Sequence, residues 1–166
     1  MVKYSFHFSY TDIGLRYLEN KEMADNHSTE VRSYNMSRIR SKDTRPEVLV
    51  RKYLFSKGFR YRKNVKDLPG KPDIVLKKYN TVIFIHGCFW HMHDCGRFRW
   101  PKSNQEYWKP KIVRNVERDK ANLKLLEEQG WKVIVVWECE LKKNRLKTTL
   151  DSLIEKILME GNNGSD

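Results

Sequence analysis

Thr81-Val82-Ile83-Phe84-Ile85 runs apolar on both faces and closes on His86-Gly87, and this pattern decides the fold. A strand with one wet face alternates apolar and polar residues. An unbroken apolar run of this length reads as a central strand with a layer packed on each side. A second near-continuous apolar strand spans Trp131 to Trp137, and an amphipathic helix lies between the two. From Lys111 to Gln129, the residues Ile112, Val113, Val116, Leu123 and Leu126 follow helical spacing until Gly130 stops the helix. A buried strand, a helical crossover and another buried strand imply an α/β fold, a mixed central sheet flanked by helices with a right-handed crossover.

Upstream, Asp43-Thr44 followed by Pro46 announces a helix, and Val48, Leu49, Tyr53 and Leu54 sustain it over 45–57 up to Gly58. Phe59 to Arg62 alternates aromatic and basic residues as a short strand would. Leu68-Pro69-Gly70-Lys71-Pro72 forms a rigid turn into a strand at Asp73-Ile74-Val75-Leu76, and Lys77 to Asn80 connects it as a hairpin to the central strand. Leu146 to Leu158 is helical again, so the predicted order is helix, three strands, helix, strand, helix. Residues 1–30 show no lasting period and are expected to be a flexible extension, 31–160 one folded domain and 161–166 a tail.

Lys and Arg number 33 against 21 Asp and Glu, a net charge of +12 that favours a polyanionic partner, nucleic acid first. No apolar run is long enough to span a membrane, and the N-terminus lacks the apolar core of a secretory signal. The three cysteines, Cys88, Cys95 and Cys139, cannot all pair within one chain, so reduced thiols or a metal fit better than disulfides. A monomer is expected, because no long apolar helix face is left unclaimed.

Asp73 heads its strand at an accessible sheet edge, where it could hold a hard cation or close the Pro-Gly turn on its own backbone; local sequence alone favours the turn. The neighbouring strand ends in His86 and leads into His91, which brings two imidazoles to the same edge. A carboxylate-bound divalent ion together with a neutral imidazole is the equipment of phosphodiester hydrolysis. Glu47, in the first turn of its helix, either faces this site or complements the helix dipole from a solvated position, the dipole being the default reading.

Cys88, His93 and Cys95 fall in the spacing Cys-x4-His-x-Cys, and Cys139 follows the strand at 131–137. Three thiolates and an imidazole make a closed tetrahedral zinc set that would staple the long segment 87–110 to the sheet; the plainer alternative is small buried thiols with a chance histidine nearby. With four ligands assigned, His91 is left free for chemistry. The same segment interleaves Phe89, Trp90, Phe98, Trp100, Tyr107 and Trp108 with Arg97, Arg99, Lys102, Lys109 and Lys111. Basic residues hold phosphates and aromatics can wedge between bases, while some of the rings are expected to form a small core over the sheet.

Leu68 to Asp73, His86-Gly87-Cys88-Phe89-Trp90-His91-Met92-His93-Asp94-Cys95, Asn115 to Asp119 and Gly130 to Cys139 together resemble the very short patch repair (Vsr) DNA mismatch endonucleases, over a span from about Met23 or Tyr34 to Leu141. The resemblance implies a restriction-endonuclease-like fold and strand-specific nicking beside the thymine of T:G mismatches left by 5-methylcytosine deamination. It implies Mg2+ as the catalytic ion, held by Asp73 and the backbone carbonyl of Ile85, where the family often has Thr. It makes His91 the water-activating base, His86 and Glu47 supporting catalytic groups, and Cys88, His93, Cys95 and Cys139 the ligands of a structural Zn2+. Phe89, Trp90 and Trp108 correspond to an aromatic wedge that enters the duplex at the mismatch, where unstacking costs less.

The acidic-x-Lys signature of most nucleases of that fold is missing from the central strand, and by resemblance the histidines substitute for it. Double-stranded DNA carrying a T:G mismatch is the implied partner, joined by a mismatch-repair accessory protein, and the implied location is cytoplasmic, at the nucleoid when bound to DNA. Met23-Ala24-Asp25 resembles a usual family start, so residues 1–22 are expected to be dispensable for nicking. Two other readings compete: a zinc-stapled module that binds distorted DNA without cutting it, and a restriction-type nuclease that cuts intact duplex sites.

Overall fold

The protein is described from a computed structural model, which covers residues 42–159 and, ahead of them, 28, 30, 31, 34, 37 and 38. Apart from Ser28 and Glu30, the expected extension at 1–30 lies outside the described residues, as does the tail at 161–166. Helix α1 spans Arg45–Ser56 and starts where the sequence predicts. Thr44 accepts from the Glu47 N–H while the Glu47 carboxylate accepts from the Thr44 N–H, a reciprocal cap of the kind worth about 1 kcal/mol. Gly58, at φ +86°, turns the chain out of the helix.

Strand β1 is only Arg62–Lys63, shorter than the alternation from Phe59 suggests, because Phe59 turns into the core instead. Strand β2 (Ile74–Leu76) pairs antiparallel with β1 and with β3 (Thr81–His86). The connection between β2 and β3 is a turn of 3-10 helix at Lys77–Tyr79, closed by Asn80 in the left-handed region. Helix α2 (Gln105–Glu128) carries the chain over to β4 (Lys132–Trp137), which pairs in parallel with β3 along its whole length. Helix α3 (Leu146–Leu158) follows, with the predicted bounds. The sheet order is β1-β2-β3-β4, mixed and flanked by helices.

Burial explains the unbroken apolar run in β3. Ile83 packs with Val50 and Leu54 of α1 and with Leu150, Leu153 and Ile157 of α3 on one face. Val82 and Phe84 pack with Leu126 of α2 on the other. Each such side chain contributes about 1.5–3 kcal/mol on leaving water. Helix α2 begins six residues before the predicted Lys111 and contains Pro110, which removes one backbone hydrogen bond. Burial of Trp108 and Ile112, one turn apart, with Phe98 offsets that loss. The irregular segment therefore ends at Asn104, and Tyr107, Trp108, Lys109 and Lys111 belong to a helix.

Candidate active site and metal cluster

Parallel pairing sets His86 beside Trp137 at one end of the sheet, and both residue clusters grow from that end. On the β2 side, Gly70 and Lys71 are consecutive left-handed residues, at φ +70° and +53°. A Cβ on Gly70 would come within 3.1 Å of the Asn122 Cβ and 3.2 Å of the Phe84 Cε1, so the turn lies flat against α2. This contact fixes where Pro72 releases Asp73.

Asp73 does not close its own turn. Its Oδ2 accepts from the Ile85 N–H at 2.7 Å, past the last β2–β3 ladder pair. An extended residue presents its N–H and C=O on the same edge, so the Ile85 carbonyl faces the edge that Asp73 occupies. Burial pushes the Asp73 carboxyl from 3.8 up to about 6; the Ile85 N–H opposes the rise, Glu47 adds to it, and Arg51 and His91 hold it back.

Glu47 is buried, contrary to the solvated position that the dipole reading assumes. Its carboxylate accepts from the Asp43 N–H at 3.0 Å and the Thr44 hydroxyl at 2.7 Å. Arg51, also buried, donates to Asp43 at 2.7 Å and lies near Glu47.

The His86 and His91 rings stack in parallel, with centroids 3.8 Å apart and planes 2° from each other. His91 Nδ1 meets the Asp119 carboxylate, so its Nδ1–H donates and Nε2 is the nitrogen left for other partners. Burial, joined by the neighbouring His91, lowers His86 to about 4 and keeps it neutral near pH 7. Burial acts to raise Asp119, but the hydrogen bond and charge of His91 hold it below the usual carboxylate range.

His86, His91 and Asp119 each bring a potential ligand atom within 4.8 Å of the others. Two parallel stacked imidazoles, however, aim their in-plane lone pairs side by side rather than at one point. The geometry suits a carboxylate-oriented proton acceptor better than a chelate. Asp119 is the residue to which sequence reasoning gave no role.

Glu47, Asp73, Ile85, His86, His91 and Asp119 all line one cleft of about 950 Å³. Lys42, Lys66, Lys71 and Arg118 stand on its walls. The predicted catalytic residues are thus gathered in a single cleft, where these four cations stand beside the four carboxylates of Glu47, Asp73, Asp119 and Glu138 and can hold phosphates.

The predicted zinc ligands meet in the second cluster. The donor atoms of Cys88, His93, Cys95 and Cys139 lie within 4.8 Å of one another. His93 Nδ1 is 3.6 Å from the Cys88 Sγ and 3.4 Å from the Cys139 Sγ. Zinc bonds of about 2.3 Å to sulfur and about 2.05 Å to nitrogen at a tetrahedral angle give an S···N edge of about 3.6 Å, so the arrangement fits. Burial pushes the Cys88 thiol up to about 12 and raises Cys139 as well. Burial acts to raise Cys95 too, but the Arg97 N–H and hydrogen bonds with the neighbouring thiols lower it, so all three sulfurs are ionised together only around a cation. Left-handed Met92 and Gly96, at φ +48° and +73°, fold the loop back so that all four donors converge.

Trp108, Phe98 and Ile112 form the small core expected from this segment. Phe89 and Trp90 are only partly buried on it, with ring centroids 5.1 Å apart, and Trp90 reaches the cleft. Trp108 is 6% exposed and supports both from behind, at 5.8 and 5.9 Å. Among the described residues, no helix is long and apolar enough to cross a membrane.

Comparison with known proteins agrees with this chemistry. Residues 24–97 match the family described as DNA mismatch endonuclease Vsr. The chain is 56% identical over 136 residues to the type II nicking enzyme V.NmeAIP of Neisseria meningitidis serogroup A, covering 81% of this chain and 97% of that one. It is 48% identical over 134 residues to the type II nicking enzyme V.XorIIP of Xanthomonas oryzae pv. oryzae, covering 78% and 98%. To the DNA mismatch endonuclease Vsr of Escherichia coli K12 it is 44% identical over 135 residues, covering 81% and 86%.

Proposed function

This chain belongs to the Vsr family of DNA endonucleases, and from that premise we propose that it nicks one strand of duplex DNA beside the thymine of a T:G mismatch. The observation that carries the reading is a cleft in which Asp73 and the His91–Asp119 pair face the same space, with Lys and Arg side chains on its walls. A module that only binds distorted DNA needs neither. Relatives named as nicking enzymes support cleavage of one strand rather than two.

In this reading the phosphodiester lies along the cleft, held by Lys42, Lys66, Lys71 and Arg118. Magnesium held by Asp73 and the Ile85 carbonyl would supply the positive charge that offsets charge developing on the phosphate and the leaving oxygen. His91 Nε2 takes a proton from the attacking water as the water oxygen bonds to phosphorus. The bond from phosphorus to the leaving sugar oxygen breaks, and that oxygen is protonated from solvent. Asp119, fixed on Nδ1–H, holds the tautomer with a free Nε2 and stabilises the imidazolium that forms.

His86, neutral and stacked on His91, keeps the ring from turning and has an N–H to offer a phosphate oxygen. Glu47, bound into the helix cap, shapes the charge around Asp73. Cys88, His93, Cys95 and Cys139 would hold zinc as a staple. Phe89 and Trp90, backed by Trp108, form the wedge, and a mismatched pair is the cheapest place to insert it. The protein works as a monomer in the cytoplasm, on DNA carrying the deamination product of a methylated cytosine, with an accessory repair protein as partner. Residues 31–160 form the endonuclease domain, and residues 1–22 are dispensable.

Incubating the protein with end-labelled duplexes that differ only in a T:G or T:A pair, with and without magnesium, tests the reading. A magnesium-dependent nick in the thymine strand of the T:G duplex alone is expected. Equal cutting of the T:A duplex would point to a site-specific nuclease, and binding without any nick would point to the non-catalytic module.

A further inference from the structure

Trp137 ends β4 beside His86 and touches three histidines, each with a different task in the reading above. It stacks face to face on His93, with centroids 3.9 Å apart and planes 3° from each other. Its ring centroid lies 5.4 Å from that of His86 and 6.4 Å from that of His91, in T-shaped contacts with interplanar angles of 70° and 71°. The thiol–imidazole cluster thus fixes one face of the indole, and the indole in turn bounds the stacked imidazole pair of the cleft. The segment that carries His91 and His93 is irregular, so its own backbone hydrogen bonds do not fix the ring positions as a helix or strand would.

We infer that Trp137 is a positioning residue, the rigid spacer through which the Cys88–His93–Cys95–Cys139 cluster sets the place of His86 and His91 over the cleft. The inference rests on the nicking reaction proposed above. A rigid two-ring side chain suits the task, because indole has few rotamers and spans the distance between the clusters. The orientation of His91 is sensitive to such support: its Nδ1–H must meet Asp119 while Nε2 faces the cleft, and a displacement of about 1 Å in a reacting group can cost roughly 100-fold in rate. Glu140, whose carboxylate accepts the Trp137 backbone N–H at 3.0 Å, ties down the main chain beneath the indole.

Two variants test it in the full chain with zinc bound: Trp137→Phe, which keeps a ring against His93 but is too short to reach both other histidines, and Trp137→Leu, which keeps none. Zinc content, kcat and KM for T:G duplex nicking, and the downfield NMR resonance of the His91 Nδ1–H proton would be measured. The expected result is zinc retained, KM unchanged, and kcat lowered roughly 10-fold in the Phe variant and roughly 100-fold in the Leu variant, with the resonance weakened in the same order. Should the Leu variant not fold, the Phe variant decides alone. An unchanged kcat in a folded variant, a loss carried by KM, or loss of zinc from both variants would overturn the inference. A wild-type protein that does not nick T:G duplexes would count against the proposed reaction, and the resonance would then still report whether Trp137 positions His91.

Discussion

Replacing Asp73 with Asn should make the magnesium-free protein more stable while abolishing nicking. Burial lifts the carboxyl from 3.8 to about 6, so the folded state holds the proton more tightly than the unfolded chain does. Stability on this account is undiminished below about pH 4, falls as pH rises from about 4 to about 6, and stays lower above that window. A rise of about 2 pKa units corresponds to roughly 3 kcal/mol at about 1.36 kcal/mol per unit, an upper bound because the side chain keeps some contact with solvent. Asn resembles the protonated carboxyl and can still accept from the Ile85 N–H, so it removes this penalty without emptying the site.

Urea unfolding of both proteins, with zinc retained and magnesium absent, should show a gain of about 1.5–3 kcal/mol for the variant at pH 8 and about half as much at pH 5. Magnesium should then stabilise the wild type and leave the variant unchanged, because only the wild type has the charged ligand. A variant less stable than wild type at pH 8, or a gain equal at both pH values, would show that Asp73 is not held under a desolvation penalty.

His91→Ala should lower kcat by about 10²–10⁴ and Asp119→Asn by about 10², both with mismatch binding retained in a gel-shift assay; weakened binding as the main effect would remove the pair from the chemistry. Gly70→Ala should cost about 1–2 kcal/mol in thermal unfolding, because φ is +70° and the new methyl meets Asn122 and Phe84; wild-type stability would mean the turn does not rest on α2. Cys139→Ser should lower zinc content and make segment 87–104 sensitive to protease; full protection after metal loss would show that the aromatic core alone orders the loop.

The sheet was legible because its signals are local. The double-faced burial of β3 is written as an unbroken apolar run, β4 reads likewise although only Ile134 and Val136 on one of its faces are buried, and α3 carries a strong amphipathic pattern with the predicted bounds. The start of α2 was not, since Asn104 offers no side-chain cap and Pro110 argues against a helix where burial of Trp108 and Ile112 sustains one. The zinc-type cluster was readable from residue types, although its closure depends on Cys139, which only the parallel β3–β4 pairing brings near Cys88.

Asp119 ends one of the stretches that carry the family resemblance, yet nothing beside it in sequence marks its partner. One signal was available. Ile112 and Leu126 define the buried stripe of α2, and Asp119 stands midway between them, seven residues from each, a carboxylate on the apolar face. That placement is costly unless a partner waits there, and His91 is that partner.

Because the cleft and the thiol cluster both hang from the C-terminal ends of β3 and β4, the Lys77–Tyr79 turn lies at the far end of the sheet. At about 3.3 Å per residue, it is roughly 15–20 Å from His86. Lys78 is exposed there, so a biotin or fluorophore attached at position 78 would tether the protein to a surface with the cleft turned outward. Single-molecule recordings of one enzyme meeting one duplex could then be made through a handle that touches neither.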